Sequence, residues 1–240
     1  MDNAGEWRGL YINPAGLRVL VVGGGNVGTR RAIWFSSAGA KVTVIAKEIS
    51  EELKDAASQG RISVVNVDLG TETGRRLLED AVGMSDFVVI ALNGSLAREA
   101  AEIALRMGKL VNNAVDASHG NVIVPFQAAT SYGLRVAVTS LGDTGVAARI
   151  ILESLLKYLE SPWARALYIS MKCYKKILKI KIKNINDRME LYFLPERDEE
   201  YWKHVREGDW RGALRRALTL AGLDDGDYPF CNALDTGREK

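Results

Sequence analysis

Val19-Leu20-Val21-Val22-Gly23-Gly24-Gly25-Asn26-Val27-Gly28 is the stretch on which the fold turns. Four branched apolar residues in a row suit a parallel strand covered on both faces, where side chains meet protein rather than water. Behind them Gly23, Gly25 and Gly28 stand at G-x-G-x-x-G spacing. Gly23 permits a tight turn, Gly25 lets backbone approach a pyrophosphate, and Gly28 lets the next helix pack closely on the strand. N–H groups at the start of that helix would hold the phosphates. A glycine-rich turn without a ligand is the plainer alternative, but a strand before the motif and a helix pattern after it are the context that dinucleotide binding requires.

Outward from this loop the chain alternates. A helix is expected over Thr29–Ala38 with Gly39 as its stop, then a strand Val42–Ala46, and a helix from the capping Ser50 to about Ser58. Strands follow at Arg61–Val67, Phe87–Leu92 and Leu110–Val115, with helices near Arg75–Ala81 and over Ser95–Met107 between them. Such alternation indicates parallel β-α-β units, an α/β fold with a Rossmann-like doubly wound parallel sheet whose ligands lie beyond the strand C-termini. After Val115 the rhythm changes. Asn121–Phe126 and Leu134–Thr139 suggest a hairpin, and Thr144–Leu159 a helix with Ile150, Ile151, Leu155 and Leu159 on helical spacing, closed by Pro162. Leu167, Met171, Tyr174, Leu178, Ile182 and Ile185 then give one apolar helical face, Trp210–Leu220 another helix, and Asp224–Asp227 a frayed end. The expected division is 1–115, 116–161 and 162–240: a nucleotide-binding Rossmann domain, a short connecting segment and a helical C-terminal domain.

The bulk properties bound the function. Of 240 residues, 47% are hydrophobic and 26% charged, enough for a sizeable core, and the net charge of +2 gives no whole-chain bias toward nucleic acid. Cys173 and Cys231 are far apart in sequence and suggest neither a disulfide framework nor a cysteine metal site. The N-terminus lacks the regions of a signal peptide and no apolar run approaches membrane-spanning length, so a cytoplasmic protein is expected.

Asp116 is the candidate catalytic carboxylate, because it follows the Leu110–Val115 strand, whose C-terminal end faces the nicotinamide side of such a sheet. There it could take a proton while hydride leaves the substrate; the plainer reading is an Asp that caps a turn. His119, three residues on, could assist proton transfer, but a loop histidine without a partner motif is more often incidental. Neither it nor His204 has metal-ligand spacing, and no bound metal is expected. Lys172, Lys175, Lys176, Lys179, Lys181 and Lys183 read first as the solvated side of an amphipathic helix, and no nucleic-acid or membrane partner is assigned to them.

The chain resembles the precorrin-2 dehydrogenases, including the dehydrogenase part of siroheme synthases. The matching text is Val21 to Arg31, Val42 to Ala46 and Asn113-Ala114-Val115-Asp116, then Pro125, Val136 to Thr144, and Ala148-Arg149, spread in order over roughly residues 10–160. The resemblance implies NAD-dependent oxidation of precorrin-2 to sirohydrochlorin on the way to sirohaem, and a homodimer in which the part after the sheet serves dimerisation and substrate cover. It places Asp116 on the essential aspartate, Ser140 on an active-site serine, and Asn26, Val27, Lys47 and Glu48 on cofactor-contacting positions. Arg149, with Arg30 and Arg31, is a candidate for the substrate's carboxylates. His119-Gly120-Asn121-Val122 and Thr144-Gly145 depart from the family pattern. The second strand ends in Ala46-Lys47, with the acid Glu48 one step beyond the usual ribose-binding position; Lys47 would suit a 2′-phosphate, while the resemblance implies NAD. Some members also insert metal into sirohydrochlorin. A nucleotide-binding sensor or scaffold without dehydrogenase activity is the alternative from another class.

Overall fold

The branched apolar run forms the centre of a sheet. In the computed structural model, which describes residues 6–226 and 228–235, Val19 to Val22 are all buried within strand β1, Arg18–Val22. Parallel neighbours β2 (Lys41–Ala46) and β4 (Phe87–Ile90) pair on either side of it, and β3 (Ile62–Asn66) and β5 (Leu110–Asn113) close the order β3-β2-β1-β4-β5. The side-chain period of two sends Val19 and Val21 to one face, against Ala32 and Phe35 of helix α1 (Asn26–Ser37) and Leu53 and Ala56 of α2 (Glu51–Ser58). Leu20 and Val22 go to the other face, against Leu78 of α3 (Glu72–Gly83) and Ala100, Ala101 and Ala104 of α4 (Ser95–Arg106). The chain winds outward from β1 to β3, then crosses back through α3 to β4. The strand order therefore reverses between β1 and β4, where ligands of doubly wound sheets bind.

Several expected boundaries move, each for a local reason. Helix α1 begins at Asn26, three residues before the expected Thr29, because Gly25 serves as its N-cap. Strand β5 stops at Asn113, whose side-chain oxygen accepts the N–H groups of Val115 and Asp116 and turns the chain. Asn121 and Val122 are not in a hairpin. Both donate backbone N–H to the Val111 carbonyl, at 3.0 and 2.9 Å, and Asn121 Oδ1 accepts the Val111 N–H at 2.6 Å, so this segment runs along the outer edge of β5. The hairpin is formed by β6 (Phe126–Ala129) and β7 (Arg135–Val138). Two compact units result, Met1–Val124 and Pro125–Lys240.

In the second unit the hairpin packs on α5 (Gly145–Leu159), which Thr144 caps through its side chain. Ala148 and Leu152 are its buried residues, whereas Ile150, Ile151 and Leu155, which recur on helical spacing, are exposed. Pro162 does not end α5 but opens α6 (Pro162–Lys181), at the first helical position where a missing N–H costs nothing. Ile182 is already beyond α6, and Ile185 starts α7 (Ile185–Tyr192), so the apolar face read through both is split between elements. Ile169, Cys173, Tyr174, Ile177 and Leu178 of α6 pack against Tyr201 and Val205 of α8 (Glu199–Arg206) and Ala213, Ala217 and Leu218 of α9 (Trp210–Leu220). A further helix, α10 (Pro229–Asp235), follows the expected frayed end, of which Asp227 lies outside the described residues. It returns to α6 and is joined there by a Cys173–Cys231 disulfide, which corrects the expectation that the two cysteines form no disulfide framework. Sequence distance misled: 58 residues separate the cysteines, but helix packing brings their Cα atoms to 5.6 Å. The lysines of α6 lie outside this core, with Lys175 5.9 Å from the Tyr192 ring and Lys176 4.5 Å from that of Phe230.

Candidate functional site

Gly23 adopts φ +116°, and a Cβ there would lie 2.5 Å from the Ala91 carbonyl oxygen. At Gly28 a Cβ would meet the Gly23 carbonyl oxygen at 1.9 Å, so α1 can sit on the loop only without a side chain there. Gly24, which the motif spacing leaves unassigned, is held as tightly: its Cβ would fall 2.2 Å from the Glu48 carbonyl oxygen. Gly25 is different. Nothing lies within 4 Å of a Cβ built on it, so protein packing does not demand glycine there, and the backbone is open to close approach from outside. The N-terminus of α1 opens onto the same space, with Gly25 as an N-cap that has no side-chain acceptor. Asn26 and Val27 are the first two helical residues, and their N–H groups have no partner within the helix. An exposed cradle of unpaired N–H groups at a positive helix end fits the pyrophosphate of a dinucleotide.

The end of β2 lies beside this loop. In-register pairing of Ala46 with Asn66 puts the residues after β3 next to Lys47. Lys47 Nζ is 2.8 Å from Asp68 Oδ2, and Asn66 Nδ2 donates to the Lys47 carbonyl at 3.1 Å. The hydrogen bond from Lys47 holds the Asp68 carboxyl below its ordinary range, helped by the Gly70 N–H, and raises Lys47 in turn. Lys47 is thus already neutralised by a neighbour. The Glu48 side chain is exposed, and its backbone oxygen lies close to Gly24.

A second cluster lies at the C-terminal ends of β4 and β5. Asn113 is buried, and its Oδ1 accepts from Val115 N at 3.1 Å and Asp116 N at 3.0 Å, fixing where Asp116 starts. Asp116 then caps a 3-10 turn, Ala117–His119. Its Oδ1 accepts from Ser118 N at 3.0 Å and from Ser118 Oγ at 2.5 Å, and its Oδ2 is 2.8 Å from His119 Nδ1. The Ser118 hydroxyl, then the Ser118 N–H, then His119 hold the carboxyl below its usual range, so it is ionised at neutral pH. The turn-capping geometry is real, and so is a cavity: Asp116 and His119 line a hollow of about 670 Å³ with Leu92, Ser95, Arg98 and Glu102. Arg98, on the first turn of α4, supplies the cavity with a cation that sequence spacing gave no reason to choose. Glu99, also on the wall, is tied to Arg75 at 3.3 Å.

Ser140 and Arg149 belong to the second unit. Ser140 Oγ accepts the Thr144 N–H at 2.8 Å and so braces the turn into α5, within which Leu141 takes φ +57°. A non-glycine residue in that region is strained, a feature concentrated at functional turns. Arg149 lies on α5, exposed, with Glu153 one turn on at 3.3 Å. Arg31 turns inward on α1, its Nε buried without a hydrogen bond. Among the described residues no group of three or more His, Cys, Asp or Glu side chains is placed to hold a metal, and no helix is long and apolar enough to cross a membrane.

Residues 10–126 match a family described as putative NAD(P)-binding. The chain is similar to a precorrin-2 dehydrogenase of Priestia megaterium, 26% identical over 173 residues that cover 72% of this chain and 81% of that one. It is similar to a siroheme synthase of Nitrosococcus oceani, 30% identical over 201 residues, 83% of this chain and 38% of that protein. The chain therefore spans little more than a third of that longer relative. The solved structure of SirC, a precorrin-2 dehydrogenase, superposes with a TM-score of 0.64 over 89% of this chain and all of the other, at 23% identity, which shows a shared fold.

Proposed function

We propose that this chain, similar to precorrin-2 dehydrogenases and siroheme synthases, oxidises precorrin-2 to sirohydrochlorin with NAD as acceptor. The observation that carries the reading is an ionised carboxylate, Asp116, in a cavity at the C-terminal edge of a sheet whose first strand ends in a dinucleotide cradle. Bound NAD supplies the hydride acceptor, and the protein supplies orientation and a place for the proton. In this reading Gly23, Gly25, Asn26, Val27 and Gly28 hold the pyrophosphate, and Lys47 and Glu48 border the adenosine ribose. Ser140 and Arg149 contact the tetrapyrrole. Asp116 is the group on which proton removal depends, and Arg98 is a basic partner for the substrate's carboxylates, complementary in charge.

The Lys47–Asp68 pair favours NAD over NADP, since a 2′-phosphate would meet an already neutralised lysine and an adjacent carboxylate. A homodimer is part of the proposal. Val146, Ile150, Ile151 and Tyr158 leave α5 with an exposed apolar side, which suits burial against a second copy. A cytoplasmic place fits a biosynthetic enzyme of this kind, although the Cys173–Cys231 disulfide is not what a reducing compartment ordinarily holds. Metal insertion is a separate activity, read directly by incubating the protein with sirohydrochlorin and Co²⁺ without NAD.

Asp116→Asn is the test. It keeps the shape of the turn and should leave NAD affinity within about twofold while lowering kcat on the order of 10² or more. Turnover equal to wild type would make Asp116 a structural cap alone. Binding of NAD by the wild-type chain with no product from precorrin-2 would favour the sensor reading.

A further inference from the structure

Asp116 has little left to accept with. Three donors converge on its two oxygens: Ser118 N and Ser118 Oγ on Oδ1, and His119 Nδ1 on Oδ2. A carboxylate so satisfied is a weak proton acceptor, because taking a proton means giving up charge-assisted hydrogen bonds. The same geometry orients its neighbour. With Nδ1 2.8 Å from an ionised carboxylate, the neutral ring of His119 keeps its proton on Nδ1 and presents Nε2 as a lone pair. Among the described residues Nε2 has no hydrogen-bond partner, and the ring lines the same cavity as Asp116. An acceptor oriented by a carboxylate behind it is the arrangement in which imidazole works as a general base.

We propose that His119 Nε2 is the proton acceptor of the reaction and that Asp116 acts through it, fixing its tautomer and stabilising the imidazolium. The proposal rests on the dehydrogenase reading. In the step, the macrocycle loses two electrons and two hydrogens: a hydride leaves one position for the nicotinamide of NAD, which becomes NADH. A proton leaves a neighbouring position for Nε2, and the electron pair of its bond becomes the new double bond of the ring. The imidazolium then returns its proton to water. The charged groups sharing this cavity with His119 are Asp116 on its own turn and Arg98, Glu99 and Glu102 on α4.

The full chain is assayed with precorrin-2 and NAD across pH, as wild type, His119→Gln and His119→Ala. Wild-type kcat should show an acid limb of unit slope, the profile of a step that needs one unprotonated base. His119→Gln should be slower by a factor on the order of 10² with an unchanged Kd for NADH, and that acid limb should disappear. Added imidazole should restore part of the activity of His119→Ala, a response that lost folding would not give. A His119→Gln enzyme as fast as wild type, with the acid limb retained, or no rescue of a His119→Ala enzyme that binds NADH normally, would overturn the assignment and leave the dehydrogenase reading standing. Absence of turnover by the wild-type chain itself would overturn that reading, and this proposal with it.

Discussion

Single residues set the chemistry of both clusters, and how far each was legible depends on how far away its partner lies in the chain. Gly23, Gly25 and Gly28 could be read because their constraints are local: a positive φ, an open cradle, and a carbonyl five residues away. Asp116 could be singled out from its place after β5, and its two readings proved compatible, since one side chain both caps the turn and lines the cavity. Asp68 and Arg98 were not legible. Each arrives through the fold, one by the register of β3 on β2 and one by the first turn of α4, and no spacing along the chain encodes that. Asp68 also carries an expectation. Removing it in Asp68→Ala should free Lys47 for a 2′-phosphate, raising affinity for NADPH relative to NADH by roughly 2- to 5-fold in fluorescence titration, the scale of one exposed ion pair. An unchanged ratio would mean that Lys47 does not face the ribose.

At the scale of elements, caps and periodicity located most helices, and prolines and apolar faces caused the errors. Ser50 begins α2 as its side chain foretold, by accepting the Leu53 N–H. Pro162 reads in the sequence as a stop, yet Pro is equally at home at the start of a helix, and only the three-dimensional path tells the two apart. The face of α5 is the more instructive case. Ile150 and Ile151 are about half exposed in the single chain, while Leu152, next along the same helix, is buried. A helical apolar period says that a side must be covered, not by what. Cover by a second copy gives a direct expectation: Ile150→Glu with Ile151→Glu should shift a dimer to monomer in sedimentation velocity, with NADH binding retained. A wild-type monomer at micromolar concentration would remove this role from α5.

For the whole molecule, the strands of the sheet were legible because strands and helices alternate along the chain and the helices pack on the strands beside them, although the strand order β3-β2-β1-β4-β5 is not the order in sequence. The helical unit was legible only in parts, since α10 and its disulfide partner on α6 meet across a 58-residue separation. Closing a loop of that size restrains the unfolded chain, so Cys231→Ser should lower stability by about 2–4 kcal/mol in urea unfolding under non-reducing conditions. The effect should vanish when wild type and variant are compared in reductant. The central claim concerns what the two clusters of the first unit do together, and the most direct measurement is stoichiometric. Purified chain, precorrin-2 and NAD are mixed without oxygen, and NADH and sirohydrochlorin are followed by absorbance. One NADH formed per sirohydrochlorin, at a rate proportional to enzyme and lost in Asp116→Asn, is the expected result. Sirohydrochlorin appearing no faster than in a protein-free control, from a chain that binds NAD, would contradict the account.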